Sequence, residues 1–198
     1  MTTGIPEPIK KQYEEFVAFR RALSDESDRG CALFAAAYLD TALEGLFRAS
    51  ILEGKKTDEE LFEGSAPLAT FSARIKLAYY LGIVSAEVRA DLETIRKIRN
   101  DFAHDATILS FESQSIADRC RHLGFSYQDA AARPRAHFTA AASGLVAIVH
   151  GLAHKAKRPR LKPDDRPSEK EKVAARRRAE EATRTMLQSL AMEPPGDA

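Results

Sequence analysis

The stretch Ile95-Arg96-Lys97-Ile98-Arg99-Asn100-Asp101-Phe102-Ala103-His104 sets a helical hydrophobic repeat and a charge conflict in the same ten residues. At about 100° per residue, Val88, Leu92, Ile95, Ile98 and Phe102 form one apolar stripe, and Arg99 projects inside it between Leu92 and Ile95. A guanidinium removed from water needs a carboxylate or phosphate to meet it. Arg96, Asn100 and His104 follow at i, i+4, i+8 on a neighbouring polar stripe, so the helix carries a basic, hydrogen-bonding cluster beside its core face.

Working outward, nearly every segment reads as helix. Ala, Leu, Glu, Arg and Lys dominate, and no sustained period-two alternation signals strands. The reading is all-α, a helical bundle with a charged C-terminal helical extension. A first helix is predicted over Pro8–Leu23. Ser24-Asp25-Glu26-Ser27-Asp28 then supplies caps for a long helix ending near Gly54, apolar nearly all round and therefore central. Asp40, Glu44 and Arg48 share one line along it, and Asp40 or Glu44 is the expected partner of Arg99 or Arg29. Further helices are predicted over Thr70–Leu81, stopping at Gly82, and from a Ser85 cap through the opening stretch. A short one follows Ser113, and another runs from Pro134 to His150.

The expected division is a core at 1–154, a Pro/Lys/Arg-rich linker at 155–167 and a charged helix and tail at 168–198. Pro159, Pro163 and Pro167 sit among charges in the linker, and Ser168-Glu169-Lys170-Glu171 is a capping box opening a helix to about Met192. That helix has Val173, Met186, Leu187 and Leu190 with which to dock, or it projects.

At 198 residues and 44% hydrophobic content, one core can form without metal or disulfide staples. Cys31 and Cys120 lack paired spacing and read as reduced structural thiols. Neither a leader's apolar region in Met1–Lys11 nor a membrane-length apolar run is evident, so a cytoplasmic protein with no membrane contact is expected. The net charge of +1 hides a division: Lys155–Arg184 holds 12 Lys and Arg against 6 Asp and Glu, which leaves the remainder at −5. An acidic body is a poor surface for DNA phosphates.

Ala78, Gly82 and Val88 imitate helix-turn-helix spacing, but the would-be recognition helix offers Glu87, Asp91 and Glu93, so direct DNA binding is disfavoured. His137, His150 and His154 lack a metal-ligand pattern and read as a solvated face; no metal or cofactor is implied. Arg176-Arg177-Arg178, interleaved with Glu169, Glu171, Glu180 and Glu181, reads as a salt-bridged helix surface.

Two resemblances follow. Arg99-Asn100-Asp101-Phe102-Ala103-His104 resembles the Arg-x4-His signature of HEPN-domain ribonucleases. That likeness implies metal-independent RNA cleavage with Arg99, Asn100 and His104 as catalytic residues. Against it, residues five apart diverge by about 140° on a straight helix, and a structural Arg99 with His104 at the helix C-terminus is the simpler reading. More extensively, Glu26-Ser27-Asp28-Arg29-Gly30, Leu39-Asp40, Pro67–Ala78 and Ile95–His104 resemble, in order, the mannitol operon repressor (MtlR) family, with the segment beyond about Lys155 departing from it. The resemblance implies an all-helical transcriptional regulator without an obvious DNA-binding domain, a co-repressor acting through a protein partner such as a DNA-binding transcription factor, or through self-association. Asp28, Arg29, Asp40, Arg74, Arg96, Arg99 and His104 are the expected polar centre for a ligand or partner.

Overall fold

The computed structural model describes residues 7–104 and 108–191, and the chain divides into two compact units, Met1–Pro159 and Arg160–Ala198. Among the described residues of the first unit lie α1 (Glu7–Asp25), α2 (Asp28–Ser50), a π-helical turn (Asp58–Phe62), α3 (Phe71–Tyr80), α4 (Ala86–His104), α5 (Gln114–Arg121) and α6 (Pro134–Lys155). The second unit holds an extended stretch followed by α7 (Glu169–Ala191). The predicted helix end at Met192 lies outside the described residues.

The core is built around α2, whose Cys31, Ala32, Ala35, Ala36, Leu39, Leu43, Leu46 and Phe47 are all buried. Alanine on successive turns lets neighbouring helices approach closely, and α6 packs along it with Phe138, Ala141, Ala142, Leu145, Val146 and Val149. The two run in the same direction, since Arg135 meets Asp28 at one end and the His150 ring lies 6.0 Å from Tyr38 towards the other. Both are long and apolar enough to cross a membrane by length and composition, yet about half of each apolar window is buried inside this bundle. The stripe read from the sequence of α4 holds as predicted: Val88, Leu92, Ile95, Ile98 and Phe102 are all buried. Phe102, Phe111 and Phe138 meet in series as tilted ring pairs at 5.2 and 4.9 Å between centroids, joining α4, the loop before α5, and α6.

Local signals explain most of the boundaries. Ser27 accepts from the Gly30 amide, Thr70 from Ala73 and Ser85 from Val88, each capping a helix start. At the end of α3, Gly82 adopts φ +68°. The amide of Ile83 reaches the Ala78 carbonyl at 2.9 Å and that of Gly82 reaches Tyr79 at 2.9 Å, a Schellman closure that a side chain at position 82 would strain. Two ends differ from expectation. Helix α2 stops at Ser50, because Ile51 turns extended. Helix α6 continues through Gly151 to Lys155, because Leu152 and Ala153 still find core to pack against.

Asp91, one of the three acidic residues noted on the would-be recognition helix, is buried, and its carboxylate accepts from the amides of Gly124 at 3.1 Å and Phe125 at 2.8 Å, tying the loop after α5 to α4. Asp91→Ala strands two amide donors, and a loss of about 2–4 kcal/mol in urea unfolding, at unchanged denaturant slope, is the expected result.

Candidate functional site

Arg74 of α3 is the arginine that enters the core. Only 6% exposed, it donates through Nη1 to Asp40 Oδ1 at 2.5 Å and through Nη2 to Glu44 Oε2 at 2.7 Å, both on α2. Glu44 also takes Arg48 Nε at 2.9 Å, and Arg48 extends to Asp58 at 2.5 Å. The Arg48 guanidinium lies 4.3 Å over the Phe62 ring, with Arg74 at 5.9 Å. Ionic and cation–π contacts thus pin the π-helical turn and α3 to the middle of α2. Arg74 Nε is buried without a partner.

The expected pairing of Asp40 or Glu44 with Arg99 or Arg29 is therefore corrected: both carboxylates meet Arg74, and Glu44 also meets Arg48. Arg99 is only half-buried, on the flank of the α4 stripe, and its Nη1 donates to the neighbouring Asn100 at 3.0 Å. Arg96 pairs with Glu93 at 2.9 Å, Arg29 is exposed at the start of α2, and His104 is exposed as the last residue of α4. The adjoining positions 105–107 lie outside the described residues.

Asp28 belongs to a second assembly. Its Oδ2 accepts from the Phe111 amide at 2.9 Å and its Oδ1 from Arg135 Nη1 at 3.0 Å. Arg135 also donates to the carbonyls of Leu23 and Glu26, so one guanidinium gathers the α1–α2 turn and α6. The predicted centre is thus distributed: Asp40 and Arg74 meet at mid-α2, Asp28 anchors the start of that helix, and Arg96, Arg99 and His104 lie along α4. Arg135 escaped sequence reading. Its only signal was a basic residue just inside a proline-started helix, which says nothing of carbonyls more than a hundred residues away.

Of the three histidines expected on a solvated face, His154 is exposed, but His137 and His150 are not. His137 is 4% exposed, with Nδ1 2.8 Å from Ser126 Oγ and Nε2 unpartnered. His150 is half-buried in a groove of about 520 Å³ between α1, α2 and α6, lined also by Glu15, Phe34, Tyr38 and Thr41. Burial holds the His150 imidazole below its usual range, with the Glu15 charge opposing, and burial raises the Tyr38 phenol. The buried thiols are pushed up to about 11 at Cys31 and about 12 at Cys120, chiefly by desolvation, which leaves them protonated and poorly nucleophilic. Among the described residues, no three His, Cys, Asp or Glu side chains cluster as a metal site.

These features define a clamped all-helical bundle, a class of scaffold rather than a particular chemistry. The chain matches the family model described as MtlR, Mannitol repressor, over residues 31–187, and it belongs to that family. The match runs well beyond Lys155, where the sequence resemblance was expected to end, and takes in most of α7. Two curated relatives, the mannitol operon repressors of Escherichia coli strains K12 and O6:H1, are each 31% identical over 71 residues. Each alignment spans 36% of this chain and 36% of the relative's own length. Among solved structures, the X-ray structure of the MtlR–HPr complex from Escherichia coli shares the fold at TM-score 0.56 and 20% identity. That likeness covers 67% of this chain and 99% of the other.

Removing Arg74 leaves Asp40 without its cation in a half-buried setting, whereas removing Arg99 releases, among the described residues, Asn100 alone. Chemical denaturation is expected to show Arg74→Ala costing about 3 kcal/mol and Arg99→Met under about 1 kcal/mol. For His150, the folded-state pKa lies below the unfolded value, so its contribution is complete above pH 6.5 or so and is lost as pH falls through that value towards the folded one. Urea midpoints measured from pH 7.5 down to pH 5 should therefore decline less steeply in His150→Leu than in the parent.

Proposed function

We propose that this protein is a non-enzymatic, cytoplasmic transcriptional regulator that acts as a co-repressor by docking a protein partner. The observation that carries the reading is the corner between α3 and α4. Tyr80 and Leu81 stand 73% and 60% exposed there, and Arg89 lies 4.4 Å over the Tyr79 ring and 5.4 Å over Tyr80. Exposed tyrosine beside arginine on a rigid turn is the composition that concentrates binding energy in protein interfaces, and the Schellman closure at Gly82 fixes its shape. Helix α4 is poorly suited to reading DNA: its apolar face and Asp91 are committed to the core, and its outer face begins with Glu87.

The Escherichia coli neighbour was solved with HPr, and HPr of the host cell is the partner proposed for this chain. Family membership supports a mannitol-type operon as the target. The ribonuclease reading is disfavoured, since Arg99 spends its Nη1 on Asn100 and needs His104 brought to the same phosphate.

Calorimetric titration of the full chain with host HPr is expected to show binding that weakens at least tenfold in the Tyr80→Ala/Leu81→Ala double variant, with the melting temperature unchanged. Equal binding by parent and variant removes the corner from the interface, and absence of binding removes HPr. Labelled RNA should emerge equally intact from the parent and from His104→Ala; cleavage by the parent alone would make the protein an enzyme.

A further inference from the structure

We propose that Lys155–Lys162, the segment leading out of α6, is a contact arm for the phosphate backbone of duplex DNA, binding without regard to base sequence. Lys155, Lys157, Arg158, Arg160 and Lys162 fall within eight residues, and no acidic residue intervenes before Asp164. From Ala156 onward the backbone is free of secondary structure up to Ser168. Pro159 and Pro163 lack the N–H that a helix or sheet ladder requires and favour an extended course of about 3.1 Å per residue.

The cations in this arm are unequally occupied. Arg158 donates to Glu53 and to the Arg48 carbonyl, stapling the arm's base to the end of α2. Arg166, farther along, closes on Asp164 at 2.5 Å. Lys155, Lys157, Arg160 and Lys162 are exposed and make no ion pair among the described residues. Four uncompensated cations on an extended chain match a polyanion of repeating charge, and a DNA duplex carries one negative charge per about 1.7 Å of axis. A lipid surface fits less well, because Leu161 is the sole large apolar side chain in the arm and the prolines preclude an amphipathic helix through it.

The run from Lys155 to Lys162 has a contour of about 20 Å at about 3.1 Å per residue, more than twice the screening length of about 8 Å at physiological salt, so the cations present a charged stretch of their own. The contact supplies a sequence-independent hold on DNA that α4 does not offer. It does not rest on HPr being the partner.

The test is fluorescence anisotropy of the full chain with a labelled random-sequence duplex, from 50 to 200 mM salt. Four phosphate contacts predict a log–log salt slope of about −3.6, a loss of roughly 150-fold in affinity across that range, and the same result for an unrelated sequence. Arg160→Gln/Lys162→Gln should halve the slope to about −1.8, reducing the loss to roughly 12-fold, while circular dichroism and melting stay unchanged. No binding at 50 mM salt overturns the proposal. So does an unaltered slope in the double variant, which would move the contact elsewhere, for example to Arg176–Arg178. Tighter binding to single-stranded RNA or to phosphatidylserine vesicles than to the duplex overturns it as well.

Discussion

An arginine closed off from water between two carboxylates of the central helix is the interaction on which the arrangement around α2 depends. Asp40 and Glu44 interrupt an otherwise apolar rod, and a charge on such a helix has to be met by whatever covers it. Arg74 meets both, which fixes the rotation of α3 about its axis and its height along α2. Glu44 passes the constraint to Arg48, Asp58 and Phe62. A buried ion pair adds little net stability over an apolar substitute, but it permits only one register, and that is its use here.

The second organising group, Arg135, works differently. It spends its donors on one carboxylate and on carbonyls at the α1–α2 turn, so it satisfies backbone acceptors that a tight helix junction would leave open. With Asp91 holding the amides after α5, three charged side chains tie the turns of the bundle to its rods. This leaves the surface between the ties available. The α3–α4 corner, where Tyr80 and Leu81 are exposed beside Arg89, is the part of that surface proposed above to dock a partner.

The contrast between Arg74 and Arg99 shows where sequence reading stops. Helical periodicity identified the buried stripe of α4 residue by residue, because burial on a helix follows a fixed angular repeat. It placed Arg99 within the stripe by the same geometry, but the side chain is half-buried and hydrogen-bonds its neighbour Asn100 instead of a core carboxylate. Arg74, with the opposite fate, sits in a short helix whose apolar pattern is too brief to announce it. The same limit explains Asp91, a carboxylate met by amides more than thirty residues further along the chain.

The sequence by itself determined the helical class, most helix starts and stops, the central position of α2, the membership suggested by its ordered motifs and the segregation of charge towards the C-terminal side, since each depends on near neighbours or on summed composition. Only the tertiary structure decided which cation faces which carboxylate, that the expected polar centre is spread over three places along the bundle, and which basic residues after α6 find no counter-charge among the described residues. Partner choice among some thirty cations and nearly as many carboxylates is set by packing over separations of thirty to a hundred residues, and local propensity holds no information at that range.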